Sequence, residues 1–110
     1  MSTRPLTVTL SPPTNERKSG RILVCALATN LGEAVDISAG GIRVVAPRAP
    51  RPGSLVTLQI GGLDGSVIVG ARVVWTKRQP RGYDVGLEFV ELTQEQREQI
   101  RAMAISARRH

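Results

Sequence analysis

Two arginines in the segment "RKSGR" have the chemistry best suited to binding a ligand. Arg17 and Arg21 stand four residues apart, with Lys18 between them. A guanidinium group presents a planar fork of N–H donors that is complementary to phosphate and to the O6 and N7 acceptors of guanine, and its flat face stacks on purines. Two arginines at this spacing can contact one ligand, which indicates an anionic ligand that carries a purine base.

The segment "DISAGG" offers the groups that such a ligand would still need. The Asp36 carboxylate can accept hydrogen bonds from N1 and N2 of guanine, and the Ser38 hydroxyl can donate to phosphate or base. Gly40 and Gly41 let a backbone approach a ligand closely. With the arginine pair, this segment fits a guanine nucleotide. Taken singly, the two segments also fit a solvated basic tail and an ordinary Asx or Ser turn.

The composition favours an anionic partner for a single domain. The chain has 110 residues and a formal net charge of +6, and its sequence pI is about 11.0. No apolar stretch is long enough to span a membrane, and the N-terminus lacks the hydrophobic middle of a signal peptide. We therefore expect a cytoplasmic protein. The lone Cys25 lies in the apolar run "ILVCALA", so we expect it to be a small core residue.

The sequence predicts neither an enzyme nor a metal site. Its only histidine is the terminal His110, and it has no cysteine and histidine cluster and no glycine-rich phosphate loop. The positive charge leaves single-stranded nucleic acid as an alternative ligand. Barrels that bind single strands use several aromatic stacking platforms, whereas this chain has one Phe, one Trp and one Tyr. Nucleic acid is therefore the weaker alternative.

Apolar alternation predicts a β-rich fold that ends in one helix. The turns "GGLDG" and "QPRG" connect antiparallel hairpins. In the C-terminal segment apolar residues recur at helical spacing, and Thr93 with Gln96 forms a capping box. A small antiparallel barrel or sandwich with a helix at its mouth follows. The predicted strands are "RILVCALA", "EAVDIS", "GIRVVA", "SLVTLQI", "SVIVGARVVWTKR" and "YDVGLEF".

The order of these segments resembles the PilZ domain family, bacterial receptors for cyclic di-GMP. "RKSGR" and "DISAGG" are similar to its RxxxR and [DN]xSxxG signatures, and "GARVVW", "GYDVGLEFVEL" and the closing helix are similar to the rest of the domain. The resemblance implies an all-β fold with a C-terminal helix, built as a six-stranded antiparallel β-barrel. Together with the proline-rich, aperiodic N-terminus and the helical spacing at the C-terminus, it gives a flexible tail at 1–14 and a domain at 15–107 whose helix covers about 92–107. The residues that match the signatures are Arg17, Arg21, Asp36, Ser38 and Gly41.

The resemblance also implies a mechanism, in which the N-terminal segment that bears Arg17 and Arg21 closes over cyclic di-GMP on the barrel surface. Lys18 and Gly40 join the site, and Trp75 stacks on a guanine. Trp75 has the strand parity of Val67, Val69, Ala71 and Val73, which instead favours a core position. Both interpretations of Trp75 remain open.

The family takes one ligand or an intercalated pair, a choice linked to the residue just before the first signature. Glu16 occupies that position here, and its charge would repel further phosphates, which favours a single molecule or modest affinity. We expect no metal and a downstream protein partner of unknown identity. A PilZ-like interaction module that does not bind nucleotide is a further alternative.

Overall fold

The computed structural model describes residues 20–63 and 65–108. The flexible tail predicted at 1–14 lies outside the described residues, as do Arg17 and Lys18. Seven strands precede one helix in this part of the chain. The strands are β1 (Ile22–Leu23), β2 (Ala28–Thr29), β3 (Glu33–Ile37), β4 (Gly41–Ala46), β5 (Leu55–Gly62), β6 (Gly65–Gln79) and β7 (Gly82–Val90), and the helix is α1 (Gln94–Ser106).

Six of the strands close into an antiparallel barrel. Going round the ring, β2 pairs with β3, β3 with β4, β4 with β7, β7 with β6, β6 with β5, and β5 again with β2. The two-residue β1 lies beside β3 as a seventh, short strand. The predicted fold class, an all-β six-stranded barrel with a C-terminal helix, is confirmed.

The first predicted strand, "RILVCALA", is wrong as a continuous strand. The chain turns at Ala26, which has a φ of 59°, and this left-handed residue separates β1 from β2. Val24 and Leu27 face the core on either side of the turn. Cys25 lies in the bend between these two core residues and is exposed. The prediction that Cys25 is a core residue is therefore wrong.

The core follows the alternation of the longer strands and is closed by the helix. Val67, Val69, Ala71 and Val73 of β6 are all buried. The helix begins with the capping box predicted from Thr93 and Gln96 and buries Ile100, Met103 and Ala104. At the β5–β6 hairpin a Cβ on Gly62 would lie 3.0 Å from Leu27 Cδ1 and 4.0 Å from Met103 Cε. The helix thus covers the mouth of the barrel, as the sequence predicts.

Two strands each contain a β-bulge that changes which side chains face outward. In β3 the register shifts between Ala34 and Asp36, and in β6 it shifts between Val73 and Trp75. A bulge adds one residue to its strand and so reverses the parity of everything beyond it. Asp36 and Trp75, which regular alternation would turn inward, therefore lie on the outer face of the barrel. The core interpretation of Trp75 is wrong, since the residue is 39% exposed.

The helix of the described part of the chain is too short and too polar to cross a membrane.

Candidate functional site

The short strand β1 brings Arg21 to the turn that follows β3. Ile22 pairs with Ile37 and Leu23 pairs with Asp36, so the antiparallel register places Arg21 beside Ser38. Arg21 Nε donates to Asp36 Oδ1 at 2.8 Å, and Nη2 lies 2.6 Å from the same oxygen. Arg21 Nη1 donates to Ser38 Oγ at 3.4 Å. The last residue of the first sequence signature thus contacts two residues of the second.

Asp36 lies at the centre of the candidate site. It is 7% exposed although it belongs to the outer face, because two arginines cover it. Its Oδ1 binds Arg21, and its Oδ2 accepts from Arg43 Nε at 2.9 Å. A carboxylate that is removed from water needs such partners to remain stable as an anion. Asp36 therefore holds both arginines in fixed positions on the barrel.

Arg43 is the site residue that sequence reasoning missed. It lies on β4 and bridges two acids, since its Nη1 also donates to Asp84 Oδ2 at 3.4 Å. Gln79 Nε2 donates to the same Asp84 oxygen at 3.1 Å. The only signal in the sequence is a charged residue inside the apolar run "GIRVVA", at the outward parity of Gly41 and Val45. Its acidic partners became visible only with the strand register.

The predicted serine and glycines shape the turn between β3 and β4. Ser38 N–H donates to the Gly41 carbonyl at 2.8 Å, and the Gly40 carbonyl accepts from Phe89 N–H at 2.9 Å. A Cβ on Gly41 would overlap with the carbonyl oxygen of Leu87, whereas a Cβ on Gly40 would meet nothing within 4 Å. Gly41 is therefore required for the close approach of β7. Gly40 is the glycine with open space beside it.

One line of paired residues connects this cluster to Trp75. Across the strands β1, β3, β4, β7 and β6, each of the five residues is the register partner of the next, so all five share the outer face. We call this line the cross-strand row. At about 4.8 Å per strand, Trp75 is about 14 Å from Asp36 when measured along the curved surface of the barrel. The row consists of Leu23, Asp36, Arg43, Gly86 and Trp75.

The Trp75 indole lies against β7 at Gly86, where only glycine fits. A Cβ on Gly86 would overlap with Cε2 and Nε1 of the indole. Gly86 is buried by this contact, whereas Trp75 itself stays 39% exposed. An exposed indole in this position is a platform on which a flat ring can stack.

The charges of the described cluster balance. Arg21 and Arg43 contribute two positive charges, and Asp36 and Asp84 contribute two negative charges. The net positive charge of the chain therefore lies outside this cluster, and Arg17 and Lys18 are among the residues that contribute to it. Among residues 20–63 and 65–108 no group of histidine, cysteine and acidic side chains is arranged to hold a metal ion.

Fold and site together define a small β-barrel with an arginine and carboxylate cluster on its outer face, the architecture of a binding module. Comparison with protein families finds a match to the PilZ domain over residues 6–106. The chain belongs to the PilZ domain family. Domains of this family are binding and adaptor modules, and the family as a whole binds cyclic di-GMP.

A solved structure supports the fold. The Bacillus subtilis inhibitor of motility, MotI/DgrA, is similar with a TM-score of 0.61 and 20% sequence identity. The match covers 79% of this chain and 48% of that chain, so the present chain spans about half the length of its structural neighbour. At this identity the likeness concerns the fold alone. Comparison with curated proteins found no match.

Proposed function

We propose that the protein is a receptor for cyclic di-GMP which acts as an adaptor in the cytoplasm. In this proposal the segment that carries Arg17, Lys18 and Arg21 becomes ordered over the ligand on the outer face of the barrel. The ordered segment and the bound ligand then form a new surface for a downstream protein partner. No catalytic step is involved, because the ligand is bound and released unchanged.

The contact of Arg21 with Asp36 and Ser38 carries this proposal. These residues are 15 and 17 positions apart in sequence, yet their side chains meet at 2.8 Å and 3.4 Å. A surface arginine with no binding role can extend freely into solvent. The Arg21 side chain is instead oriented by a buried carboxylate and a turn hydroxyl. A guanidinium fixed in this way is ready to donate to phosphate or to guanine O6 and N7, and it loses less side-chain freedom when a ligand arrives.

The other predicted residues receive roles within the same proposal. Arg17 and Lys18 supply the positive charge that the balanced cluster lacks. Asp36 orients Arg21, and the one lone pair of its Oδ2 that the two arginines leave unused can accept from N1 or N2 of a guanine. Trp75 offers a stacking surface at the far end of the cross-strand row. Glu16 favours one bound molecule over an intercalated pair, because its charge opposes additional phosphates.

Single-stranded nucleic acid remains the second candidate because of the chain's positive charge. Such barrels stack successive bases on several aromatic side chains. Tyr83 and Phe89 pack against the core here, which leaves Trp75 as the one well-exposed ring among the three aromatic residues. The arrangement supports a ligand with few bases rather than a long strand.

Titration calorimetry tests the proposal. The protein is titrated with cyclic di-GMP, GTP, cyclic GMP and a short single-stranded oligonucleotide under the same salt conditions. We expect saturable binding of cyclic di-GMP near one molecule per chain and weaker or undetectable binding of the other three. Preferential binding of the oligonucleotide would support the second candidate. No binding of any of the four would identify a PilZ module that acts without nucleotide.

A further inference from the structure

Arg43 occupies the middle of the cross-strand row, between the acidic cluster and the tryptophan. Its register partner on one side is Asp36 and on the other side is Gly86, which Trp75 covers. Adjacent strands are about 4.8 Å apart, so a ring stacked on the indole above Gly86 would have its edge next to the Arg43 side chain. The position therefore combines a stacking surface with a neighbouring donor.

The two acids fix this arginine without using all of its donors. Nε is bound to Asp36 and Nη1 to Asp84, while the side chain stays 30% exposed. Among the described residues Nη2 has no hydrogen bond or ion pair, and Nη1 carries a second hydrogen. An arginine needs only two N–H groups to contact the O6 and N7 acceptors of guanine at once. Arg43 keeps such a pair available.

We infer that Arg43 is a specificity residue of the ligand site, and that it donates to O6 and N7 of a guanine stacked on Trp75. This inference rests on the proposed function and adds to it the residue that reads one base. Asp84 and Gln79 are positioning residues in this scheme, because they hold Arg43 and do not touch the ligand. The contact with guanine would use the N–H donors of Arg43 that its contacts with the two acids leave unbonded.

The test measures whether sensitivity to guanine N7 depends on Arg43. Cyclic di-GMP and its 7-deazaguanine analogue, in which N7 is replaced by C–H, are titrated calorimetrically into the wild-type protein, Arg43→Ala and Arg43→Lys. Arg97→Ala is the matched control, because Arg97 is an exposed arginine on α1 whose removal changes the net charge equally. Urea unfolding of each variant measures whether the barrel is still stable.

We expect wild-type protein and Arg97→Ala to lose about ten-fold or more in affinity when N7 is removed, as for loss of one base contact. Arg43→Ala should bind cyclic di-GMP more weakly and lose most of this sensitivity to the analogue. Arg43→Lys should recover part of the affinity but not the sensitivity, because an ammonium group lacks the planar fork.

If the role of Arg43 is purely structural, the titrations give a different result. If Arg43→Ala still discriminates between the two ligands as strongly as wild type, the inference is overturned, whether or not affinity and stability have fallen. In that case binding of cyclic di-GMP by the wild-type protein, together with its loss in Arg21→Ala, would leave the proposed function intact. If the wild-type protein binds neither ligand, the proposed function fails first.

Discussion

At the scale of single residues, the site depends on how Arg21 is held. Fixing a free arginine side chain costs up to about 2 kcal/mol of conformational entropy. Asp36 and Ser38 contact Arg21 within the folded chain, so part of this cost is met when the protein folds. A ligand that arrives at the cluster then meets a donor that is already oriented, which favours tight binding.

The first prediction concerns the two arginines of the first signature. Replacement of Arg17 or Arg21 by alanine should weaken binding of cyclic di-GMP by about 1.5 to 3 kcal/mol, or roughly ten-fold to more than a hundred-fold, because charge-assisted hydrogen bonds are lost. Calorimetry measures the change, and Arg97→Ala controls for the loss of one charge. Unaltered affinity in both variants would rule out a clamp made by these arginines.

The second prediction concerns Asp36. Asp36→Ala removes the acceptor that orients Arg21 and Arg43 and leaves two like charges facing each other. Binding of cyclic di-GMP should weaken more than binding of cyclic di-AMP, because a carboxylate repels phosphate and helps only by positioning donors or by accepting from guanine. The ratio of the two affinities is the measured quantity. A variant that binds cyclic di-GMP more tightly would show that Asp36 serves the turn alone.

At the scale of secondary structure, two bulges create the site. The extra residues are Val35 in β3 and Val74 in β6, and each one turns the next side chain outward. Without them Asp36 and Trp75 would face the core. Both residues instead join the cross-strand row with Arg43, so the barrel obtains a polar cluster and a stacking surface on one face without giving up its apolar interior.

Alternation in the sequence was sufficient to predict most strands but not these features. The alternate residues from Val67 to Val73 are correctly predicted to face the core, because the strand is regular there. The extra residue of the bulge, Val74, is one more valine in an apolar run, so nothing in the sequence marks the bulge. The turn at Ala26 was equally hidden, since alanine rarely has a positive φ. The pairing of Arg43 with Asp36 and Asp84 required the strand register, which a single sequence does not specify.

The third prediction tests the packing of Trp75 over β7. In Gly86→Ala the added Cβ overlaps with the indole, so the ring must move away from the strand. The chain has one Trp, so fluorescence excited at a wavelength that only indole absorbs reports this residue alone. We expect emission to shift to longer wavelength as the ring enters water, and binding of cyclic di-GMP to weaken.

Gly61→Ala is the matched control for this variant. It adds the same methyl group to β5, where the nearest atom to the new Cβ, Ser66 Cβ, lies 3.8 Å away. Emission and affinity should both remain as in the wild-type protein. If Gly86→Ala behaves like Gly61→Ala, the indole does not depend on the glycine, and a stacking role for Trp75 loses its structural basis.

At the scale of the whole molecule, the net positive charge lies outside the described cluster. The chain has a net charge of +6, whereas the two arginines and two aspartates of the cluster sum to zero. In the proposed function, the excess charge attracts anions in general and the cluster selects among them. In this account recognition requires the N-terminal arginine segment and the β3–β4 turn to bind the same molecule.

Amide hydrogen exchange with and without ligand tests this joint action most directly. The N-terminal segment is poor in apolar residues, so the sequence predicts rapid exchange of its amides in the free protein. Saturating cyclic di-GMP should slow exchange at residues 17–21 and 36–41 together, and the slowing should be absent in Arg21→Ala. If cyclic di-GMP leaves both segments unchanged while a single-stranded oligonucleotide protects them, the receptor account is contradicted and the protein is a nucleic-acid-binding barrel.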